Sequence, residues 1–366
     1  MGNEEDFAGG TAESLRFDFE MRDNEKARAI IYALMAAVFY AINIPLSKLL
    51  LKVIRPTLMA SFLYLGAGIG IGLLSLTGGK KEEKRLERID LPFVLGMIVL
   101  DIAAPIFLML GISYGSPSNA SLLGNFEIVA TTVIALVIFK ETVSRRLWLA
   151  IGLITLSSIL LSFEGVGSLR LSFGSLFVLL AMVCWGFENN CTRKISSKST
   201  YEIVVLKGVF SGLGSFGIAL LRRESLPPLS YVLLALLLGF VAYGLSIFLY
   251  VSAQSVLGAA RTSAYYAVAP FIGALLSFIL FKEALTGTYL AALGIMIAGT
   301  ALVVADTLIR YHAHVHQHSF THTHDGSTHT HVVTHSHEHN HYVTEGKHGH
   351  HHTKEELERL AGAVHI

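Results

Sequence analysis

Long apolar runs are the feature that most constrains how this chain of 366 residues can fold. Most are about 20 residues long, which is the length of helix that crosses the hydrocarbon core of a bilayer. In lipid a chain must satisfy its own backbone hydrogen bonds, so runs of this kind are typical of membrane-spanning helices. The composition agrees, since 52% of the residues are hydrophobic and only 15% are charged. The sequence predicts an all-α integral membrane protein that has the lipid bilayer as a partner.

An internal repeat divides the apolar runs into two sets of five. Phe139–Lys140–Glu141 ends the fourth run, and the same triplet returns 142 residues later as Phe281–Lys282–Glu283. Internal repeats at a fixed offset indicate duplicated structural units. The ten predicted transmembrane helices cover residues 27–51, 57–76, 91–113, 117–138, 147–163, 173–191, 201–221, 229–252, 261–280 and 288–309.

Lysine and arginine are concentrated in the loops that lie inside if the N-terminus is cytoplasmic, above all in residues 80–88. The positive-inside rule then places both termini in the cytoplasm, with the plasma membrane as the expected location. Because five is an odd number, the second five-helix repeat is inverted relative to the first. Inverted repeats are typical of secondary transporters, which rock one half against the other around a central site.

The predicted organisation therefore has five parts. A cytoplasmic N-terminal extension over residues 1–26 precedes a five-helix repeat over 27–165 and its inverted counterpart over 170–310. A His-rich cytoplasmic tail over 311–352 and a short amphipathic helix over 353–366 complete the chain. Three alternatives are open for that helix: it lies on the membrane surface, it docks on another subunit, for which a homodimer is the candidate assembly, or it is unfolded until metal binds.

Short motifs recur at the starts of the first and sixth spans. Phe39–Tyr40–Ala41 is followed by Lys48, and Cys184–Trp185–Gly186 is followed by Arg193. Together with the two triplets, these motifs resemble the EamA-like branch of the drug/metabolite transporter superfamily. The resemblance covers about residues 27–309 and implies transport of small solutes such as amino acids, sugars or amphipathic compounds.

The chain departs from the family pattern at one point. Members often have a proline in the middle of both the fourth and the ninth span. Here Pro270 is present, but its counterpart is Ile128, beside an unusual Glu127.

Ionisable and polar side chains within the spans are the candidates for a substrate or ion pathway, because buried charge is costly in a membrane. Asp101 and Glu127 are predicted around one midplane cavity; the alternative is that each is a protonated acid bonded to a carbonyl or hydroxyl. For Glu188 the alternative is an interfacial ion pair with Arg193. The complete set of pathway candidates is Asn43, Asp101, Asn125, Glu127, Trp185, Glu188, Asn189, Tyr243, Gln254 and Tyr265.

The tail is predicted to bind divalent transition metal, because neutral imidazole is a ligand for Zn²⁺, Ni²⁺, Co²⁺ and Cu²⁺. All 17 histidines of the chain lie in the segment 312–365. The tail has few large apolar residues, so we expect an extended, mobile segment without a fold of its own. The predicted ligands are His312, His314, His316, His318, His322, His324, His329, His331, His335, His337, His339, His341, His348, His350, His351 and His352.

Three functions are compatible with these features. The first is a small-metabolite transporter that works by alternating access and carries a metal-binding regulatory tail. The second is a transporter of a divalent metal such as Zn²⁺, Ni²⁺ or Co²⁺ through Asp101, Glu127 and Glu188. The third is a non-transporting membrane metal sensor.

An enzyme is not expected, since the spans hold no histidine and no nucleophile–base arrangement. No basic face with interleaved aromatic residues points to nucleic acid, and the sequence calls for no required cofactor.

Overall fold

The computed structural model describes residues 25–77, 84–140, 143–163, 172–195, 198–257, 259–307, 309–324 and 327–342. It divides into two compact units, residues 1–304 and 305–366, which are described separately. The predicted C-terminal helix over 353–366 lies outside the described residues, as does nearly all of the predicted N-terminal extension over 1–26.

Helices account for most of the described residues up to Thr307. We number them α1 to α10 in chain order and divide those that are interrupted. Their bounds are Glu25–Leu50 (α1), Pro56–Thr77 (α2), Leu91–Tyr114 (α3), Pro117–Leu123 (α4a), Phe126–Phe139 (α4b), Arg145–Ser162 (α5), Phe173–Ile195 (α6), Thr200–Leu221 (α7), Leu229–Gly239 with Phe240–Leu245 and Ser246–Leu257 (α8), Ala259–Tyr266 (α9a), Ala269–Phe281 (α9b) and Gly287–Thr307 (α10).

Eight of the described helical segments are long and apolar enough to cross a membrane. They correspond to α1 to α5, α7, α8 and α10. Helix α9b is apolar but shorter, and α6 carries charged and amide side chains toward its C-terminal end. The membrane class predicted from the apolar runs is therefore confirmed.

Two helices are interrupted at equivalent places of the sequence repeat. Helix α4 breaks at Gly124–Asn125 and α9 breaks at Ala267–Val268, about one repeat offset apart. Pro270 lies in the first turn of α9b, where a proline is tolerated because that N–H has no helical partner. Helix α4b has no proline there, but Glu127 occupies its first turn, where a carboxylate interacts favourably with the helix dipole.

The two Phe-Lys-Glu triplets also share a local conformation. Lys140 and Lys282 both adopt left-handed backbone angles, with φ of 54° and 49°, as they end α4b and α9b. A left-handed residue is a common way to end a helix and is unusual for lysine. The matched ends give structural support to the sequence repeat.

Glycines allow a close approach between α2 and α7. A Cβ added at Gly208 would lie 2.5 Å from the Cα of Gly68, and one at Gly212 would lie 2.8 Å from the backbone nitrogen of Leu65. Small residues at helix interfaces let backbones pack directly against each other in lipid. Lys207 directly precedes Gly208 on α7, so this contact helps to position Lys207.

The loops before α3 and before α7 meet at one end of the membrane unit. Lys198 Nζ lies 2.7 Å from an oxygen of Glu87 and 3.3 Å from an oxygen of Asp90. The hydrogen bond with Glu87 raises the pKa of Lys198 above its usual range. Lys198 therefore stays charged throughout the neutral range, and its contribution to the ion pair is lost as the pH rises through the raised pKa.

The second unit contains a two-stranded antiparallel sheet formed by the His-rich tail. Strand β1 covers Ile309–His324 and strand β2 covers Ser327–Tyr342. The prediction that this tail has no fold of its own is wrong over these two strands. The alternation of histidine with other residues matches the period of a strand, and many of the alternating residues are the β-branched threonine and valine.

Candidate functional site

A charged network lies inside the membrane unit, where helices α3, α6 and α7 meet. We use the name charged network for Asp101, Glu188 and Lys207. Lys207 Nζ lies 3.1 Å from Asp101 Oδ2 and 3.0 Å from Glu188 Oε1, so one ammonium group joins two carboxyl groups. The side chain of Asp101 is fully buried, that of Glu188 is 2% exposed and that of Lys207 is 20% exposed.

Neutral donors complete the surroundings of the two acids. The Tyr64 hydroxyl donates to Asp101 Oδ1 over 2.9 Å, and the indole N–H of Trp185 lies 3.1 Å from the same oxygen. On α6, Thr192 donates a short hydrogen bond to Glu188. Buried charges are tolerated only when they are paired and hydrogen-bonded, which is the situation of both acids.

Glu127 lies next to this network but has different partners. Asn189 Nδ2 donates to Glu127 Oε1 over 2.7 Å and lies 3.2 Å from the Thr131 hydroxyl, which ties α6 to α4b. Asn189 follows Glu188 directly in the chain, so the carboxyl groups of Glu127 and Glu188 are linked through two consecutive residues of α6. Asp101 and Glu127 therefore belong to one polar region. Asp101 is held by residues of α2, α6 and α7, and Glu127 is held by Asn189 of α6.

A group of tyrosines lines the inner faces of α1, α2, α8 and α9a beside Asp101. Tyr243 packs on Tyr40 and Tyr64, with ring centroids 5.9 and 5.5 Å apart, and Tyr266 packs on Tyr40 at 5.8 Å. The Asn43 amide donates to the Tyr243 hydroxyl over 2.9 Å. Tyr243 lies in the π-helical turn Phe240–Leu245, and turns of this kind are frequent at functional sites.

Three other candidates from the sequence lie apart from these contacts. Asn125 donates to the carbonyl of Leu122 at the break in α4, and its own oxygen accepts from Thr300 on α10 at 3.5 Å. Tyr265 packs beside a separate small cluster of α1 and α8 residues, and Gln254 is half-buried on α8. The structure thus brings together Asn43, Asp101, Glu127, Trp185, Glu188, Asn189 and Tyr243.

The sequence analysis missed Lys207, which is the residue that joins Asp101 to Glu188. It also missed Tyr64 and Tyr40. For Lys207 the signal was present, because an isolated lysine seven residues into an apolar helix is as costly as an isolated acid. No comparable signal marks the tyrosines, since an aromatic residue in an apolar span looks the same whether it lines a cavity or faces lipid.

A second polar cluster links the two repeats at one end of the membrane unit. Ser116 and Ser118, at the start of α4a, both donate to Glu283 Oε2 after the end of α9b, the first over 2.5 Å. We call these three residues the Glu283 cluster. Lys48, at the end of α1, donates beside it to the carbonyls of Ile112 and Gly115 over 2.6 and 2.9 Å. The cluster joins the start of α4a in the first repeat to the end of α9b in the second. The equivalent residue Glu141 lies outside the described residues.

The backbone places the predicted metal ligands of the tail on two paired strands. Twelve of them lie on β1 and β2, and several stand directly opposite one another in the strand register, for example His314 and His337. The other four predicted ligands, His348, His350, His351 and His352, lie outside the described residues.

Comparison with known proteins identifies one transporter family over both halves of the membrane unit. A family model described as the EamA-like transporter family matches the chain twice, over residues 27–163 and 172–305. An uncharacterized transporter of Methanothermobacter thermautotrophicus is 26% identical over 273 residues, which are 69% of this chain and 79% of the relative. The uncharacterized transporter YyaM of Bacillus subtilis is 23% identical over 258 residues, 66% of this chain and 82% of the relative.

A solved crystal structure shows the same fold at low sequence identity. It superposes with a TM-score of 0.56 at 16% identity and covers 76% of this chain and 96% of the other. The likeness concerns the path of the helices alone. Because the family model accounts for both halves of the membrane unit and most of the chain, the resemblance seen in the short motifs is confirmed. The chain is an integral membrane protein that belongs to the EamA-like transporter family.

Proposed function

We propose that this protein is a secondary transporter of a small polar metabolite that couples transport to a proton or a second solute. The observation that carries the proposal is the buried polar region of Asp101, Glu127, Glu188 and Lys207. It lies where the broken helix α4 meets α6. Broken helices and intramembrane ionisable residues together are the usual setting of a transport site.

The balance of charge in this region favours binding of a cation or a proton. The region holds three carboxyl groups and one ammonium group, so it carries excess negative charge when all four are ionised. An uncompensated charge away from water costs several kcal/mol. A proton, or the cationic group of a substrate, would remove the excess, and this is the link by which substrate movement and proton movement become coupled.

The position of Lys207 favours a metabolite over a divalent metal as the transported species. Its ammonium group already lies between Asp101 and Glu188, within 3.1 Å of both. A divalent cation would need these carboxylates as ligands and would be repelled by the neighbouring ammonium. A substrate with its own amino and carboxyl groups could pair with the acids and with Lys207.

The proposal includes ten spans arranged as two inverted five-helix repeats, with both termini in the cytoplasm. The matched breaks in α4 and α9 and the matched left-handed lysines support the repeat. A reporter fused after Arg310 is expected to read cytoplasmic, and one inserted at Arg170 external, because an odd number of spans separates them. Reporter activity in intact cells measures this. If both reporters lie on the same side, the inverted arrangement is wrong.

Coupling is tested by removing ionisable carboxyl groups without changing their shape. Asp101→Asn and Glu127→Gln are each expected to flatten the pH dependence of transport, because neither amide can take up a proton. The assay uses proteoliposomes that contain a pH-sensitive dye, to which a panel of amino acids, sugars and amphipathic amines is added outside. The control is Glu87→Gln, which removes an acid from the loop before α3.

Two results would contradict the proposal. If no compound of the panel moves protons or enters the vesicles in the unmodified protein, the metabolite function fails. If Asp101→Asn and Glu127→Gln both transport with unchanged pH dependence, the acids have a structural role and coupling lies elsewhere. Protein amount in the membrane is measured in parallel, so a folding defect is recognised as such.

The tail adds a regulatory function to this proposal. Its histidines are expected to bind Zn²⁺ or a similar transition metal and so to make transport sensitive to metal. The number of imidazole groups in one short segment supports this role, because an unperturbed imidazole is mostly neutral near pH 7 and a neutral imidazole can bind metal.

A further inference from the structure

The pairing of β1 and β2 collects every histidine of the two strands on one face of the sheet. Residues alternate between the two faces along a strand, and the register pairs even-numbered residues of β1 with odd-numbered residues of β2. The histidines occupy even positions in β1 and odd positions in β2. They are His312, His314, His316, His318, His322 and His324 in the first strand, and His329, His331, His335, His337, His339 and His341 in the second.

The strand register also places several histidines directly opposite one another. Three consecutive positions of this face have histidine opposite histidine, namely His312 with His339, His314 with His337, and His316 with His335. A fourth direct pair, His322 with His329, is separated from them by the positions of Phe320 and Val333. We call the three consecutive pairs the histidine ladder.

The spacing of a ladder suits a tetrahedral metal site. Directly opposite residues have Cβ atoms about 4.5 to 5.5 Å apart, and the next residues on the same face are about 7 Å further along each strand. Zn²⁺ takes four ligands at about 2.0 to 2.1 Å from imidazole nitrogen, and an imidazole group reaches several ångströms from its Cβ. Two neighbouring cross-strand pairs can therefore supply one ion with four ligands.

The low stability of an isolated hairpin also favours a metal ion as the group that holds the strands together. A two-stranded sheet is at best marginally stable in water unless something else holds the strands together. The face that carries the histidines has only Phe320 and Val333 as large apolar residues, so burial on that face contributes little. An ion bound by both strands would stabilise the paired form in proportion to its affinity, since the unfolded tail has no preformed site.

We propose that the histidine ladder is a zinc-binding clasp in which two successive cross-strand pairs bind one ion and thereby hold the hairpin together. The ladder offers two sets of adjacent pairs, and the central pair, His314 with His337, belongs to both sets. This inference deepens the metal-binding role given to the tail under the proposed function. It differs from simple chelation by a His-rich segment because affinity depends on which face each histidine occupies.

The test exchanges residues between the two faces and keeps the composition unchanged. In the ladder variant, His314→Val, Val315→His, Ser336→His and His337→Ser move the central pair to the opposite face, where positions 315 and 336 are again paired. No two direct pairs of the ladder remain adjacent. The matched control, His318→Ser, Ser319→His, His331→Val and Val332→His, also moves two histidines to a paired position on the other face and leaves all four direct pairs in place.

Two quantities are measured on the full-length protein in detergent. Zn²⁺ is titrated by calorimetry, and hydrogen exchange is followed by mass spectrometry over residues 309–342 with Zn²⁺ or with chelator. We expect Zn²⁺ to slow exchange in both strands of the parent and of the control. The ladder variant should bind its tightest Zn²⁺ at least tenfold more weakly and should show little protection at the same concentration.

Each outcome has a defined meaning. Equal affinity and equal protection in the parent, the ladder variant and the control would show that composition alone decides binding, and would overturn the clasp while leaving the metal-binding tail intact. Absence of Zn²⁺ binding in the parent would overturn both. Neither measurement involves transport, so failure of the proposed transport function would be seen separately in the vesicle assay.

Discussion

Replacing Lys207 by glutamine is expected to abolish transport and to destabilise the protein by about 3 to 5 kcal/mol, which is typical for removing one partner of a buried ion pair. The substitution leaves Asp101 and Glu188 facing each other across a buried site without the ammonium group that joins them. Such acids must take up protons or move apart. The site would then lose both its charge pattern and the link between α3, α6 and α7.

The measurement combines a thermal unfolding midpoint in detergent with uptake into proteoliposomes. The matched control is Lys52→Gln, which removes an exposed lysine just after α1 and should change neither quantity. A triple variant, Asp101→Asn with Glu188→Gln and Lys207→Gln, removes all three charges together. It is expected to regain much of the lost stability and to remain inactive, because hydrogen-bonded neutral groups carry no unpaired charge and cannot exchange a proton.

The triple variant separates a structural role from a transport role. If it recovers transport together with stability, the charged network serves only to hold the helices and is not part of the pathway. If Lys207→Gln alone retains normal uptake and a normal unfolding midpoint, the ion pairs are not formed in the working protein. The sequence analysis would not have suggested this experiment, because it did not single out Lys207.

Removing the carboxyl group of Glu283 is expected to open one end of the membrane unit. Ser116 and Ser118 both donate to this carboxylate, and α9b packs on α4a and on α1 around Gly273, where an added Cβ would lie 3.1 Å from the carbonyl oxygen of Ala41. Hydrogen bonds to a charged group contribute about 1.5 to 3 kcal/mol each. In Glu283→Ala the population open at this end should therefore rise by about tenfold or more.

Access is measured by the rate at which a membrane-impermeant thiol reagent modifies a cysteine at position 47. Ser47 is fully buried in the closed arrangement and lies next to Lys48 at the same end. Cys184 and Cys191 are first replaced by serine. The control is Lys282→Gln, which changes the neighbouring residue and leaves the hydrogen bonds of the Glu283 cluster in place. Modification at the same rate in Glu283→Ala and in its parent would show that the cluster is not a gate.

The positions of many spanning helices could be predicted from the apolar runs of the sequence. The spans predicted at 57–76 and 201–221 are the helices Pro56–Thr77 and Thr200–Leu221 in the structure. The agreement is close because the ability to cross lipid depends on the length of a local hydrophobic run. Asp101 and Glu188 were recognisable because an acid in an apolar span is rare. The breaks in α4 and α9 were not predicted, since Asn125 and Val268 interrupt no apolar run.

The histidine face was missed for a different reason. The sequence analysis predicts a mobile segment without a fold of its own, although the period of two in His312, His314, His316 and His318 is the pattern of a strand. Between β1 and β2 the sequence reads Asp325–Gly326, a pair typical of two-residue hairpin connections, and this was the available signal. With it, the opposed positions of His314 and His337 could have been derived from the sequence alone.

The sequence by itself determined that this protein is helical and membrane-spanning and that its helical part is duplicated. It also predicts that the His-rich tail binds metal. Each of these conclusions depends on the order of residues along the chain. Only the tertiary structure decided that Lys207 joins Asp101 to Glu188, that Asn189 holds Glu127, and that Glu283 joins the two repeats. These partners are separated by 62 to 167 residues, except for Glu188 and Lys207, which are 19 residues apart. Which helices become neighbours depends on packing between small residues such as Gly68 and Gly208, and a single sequence does not show which ridge meets which groove.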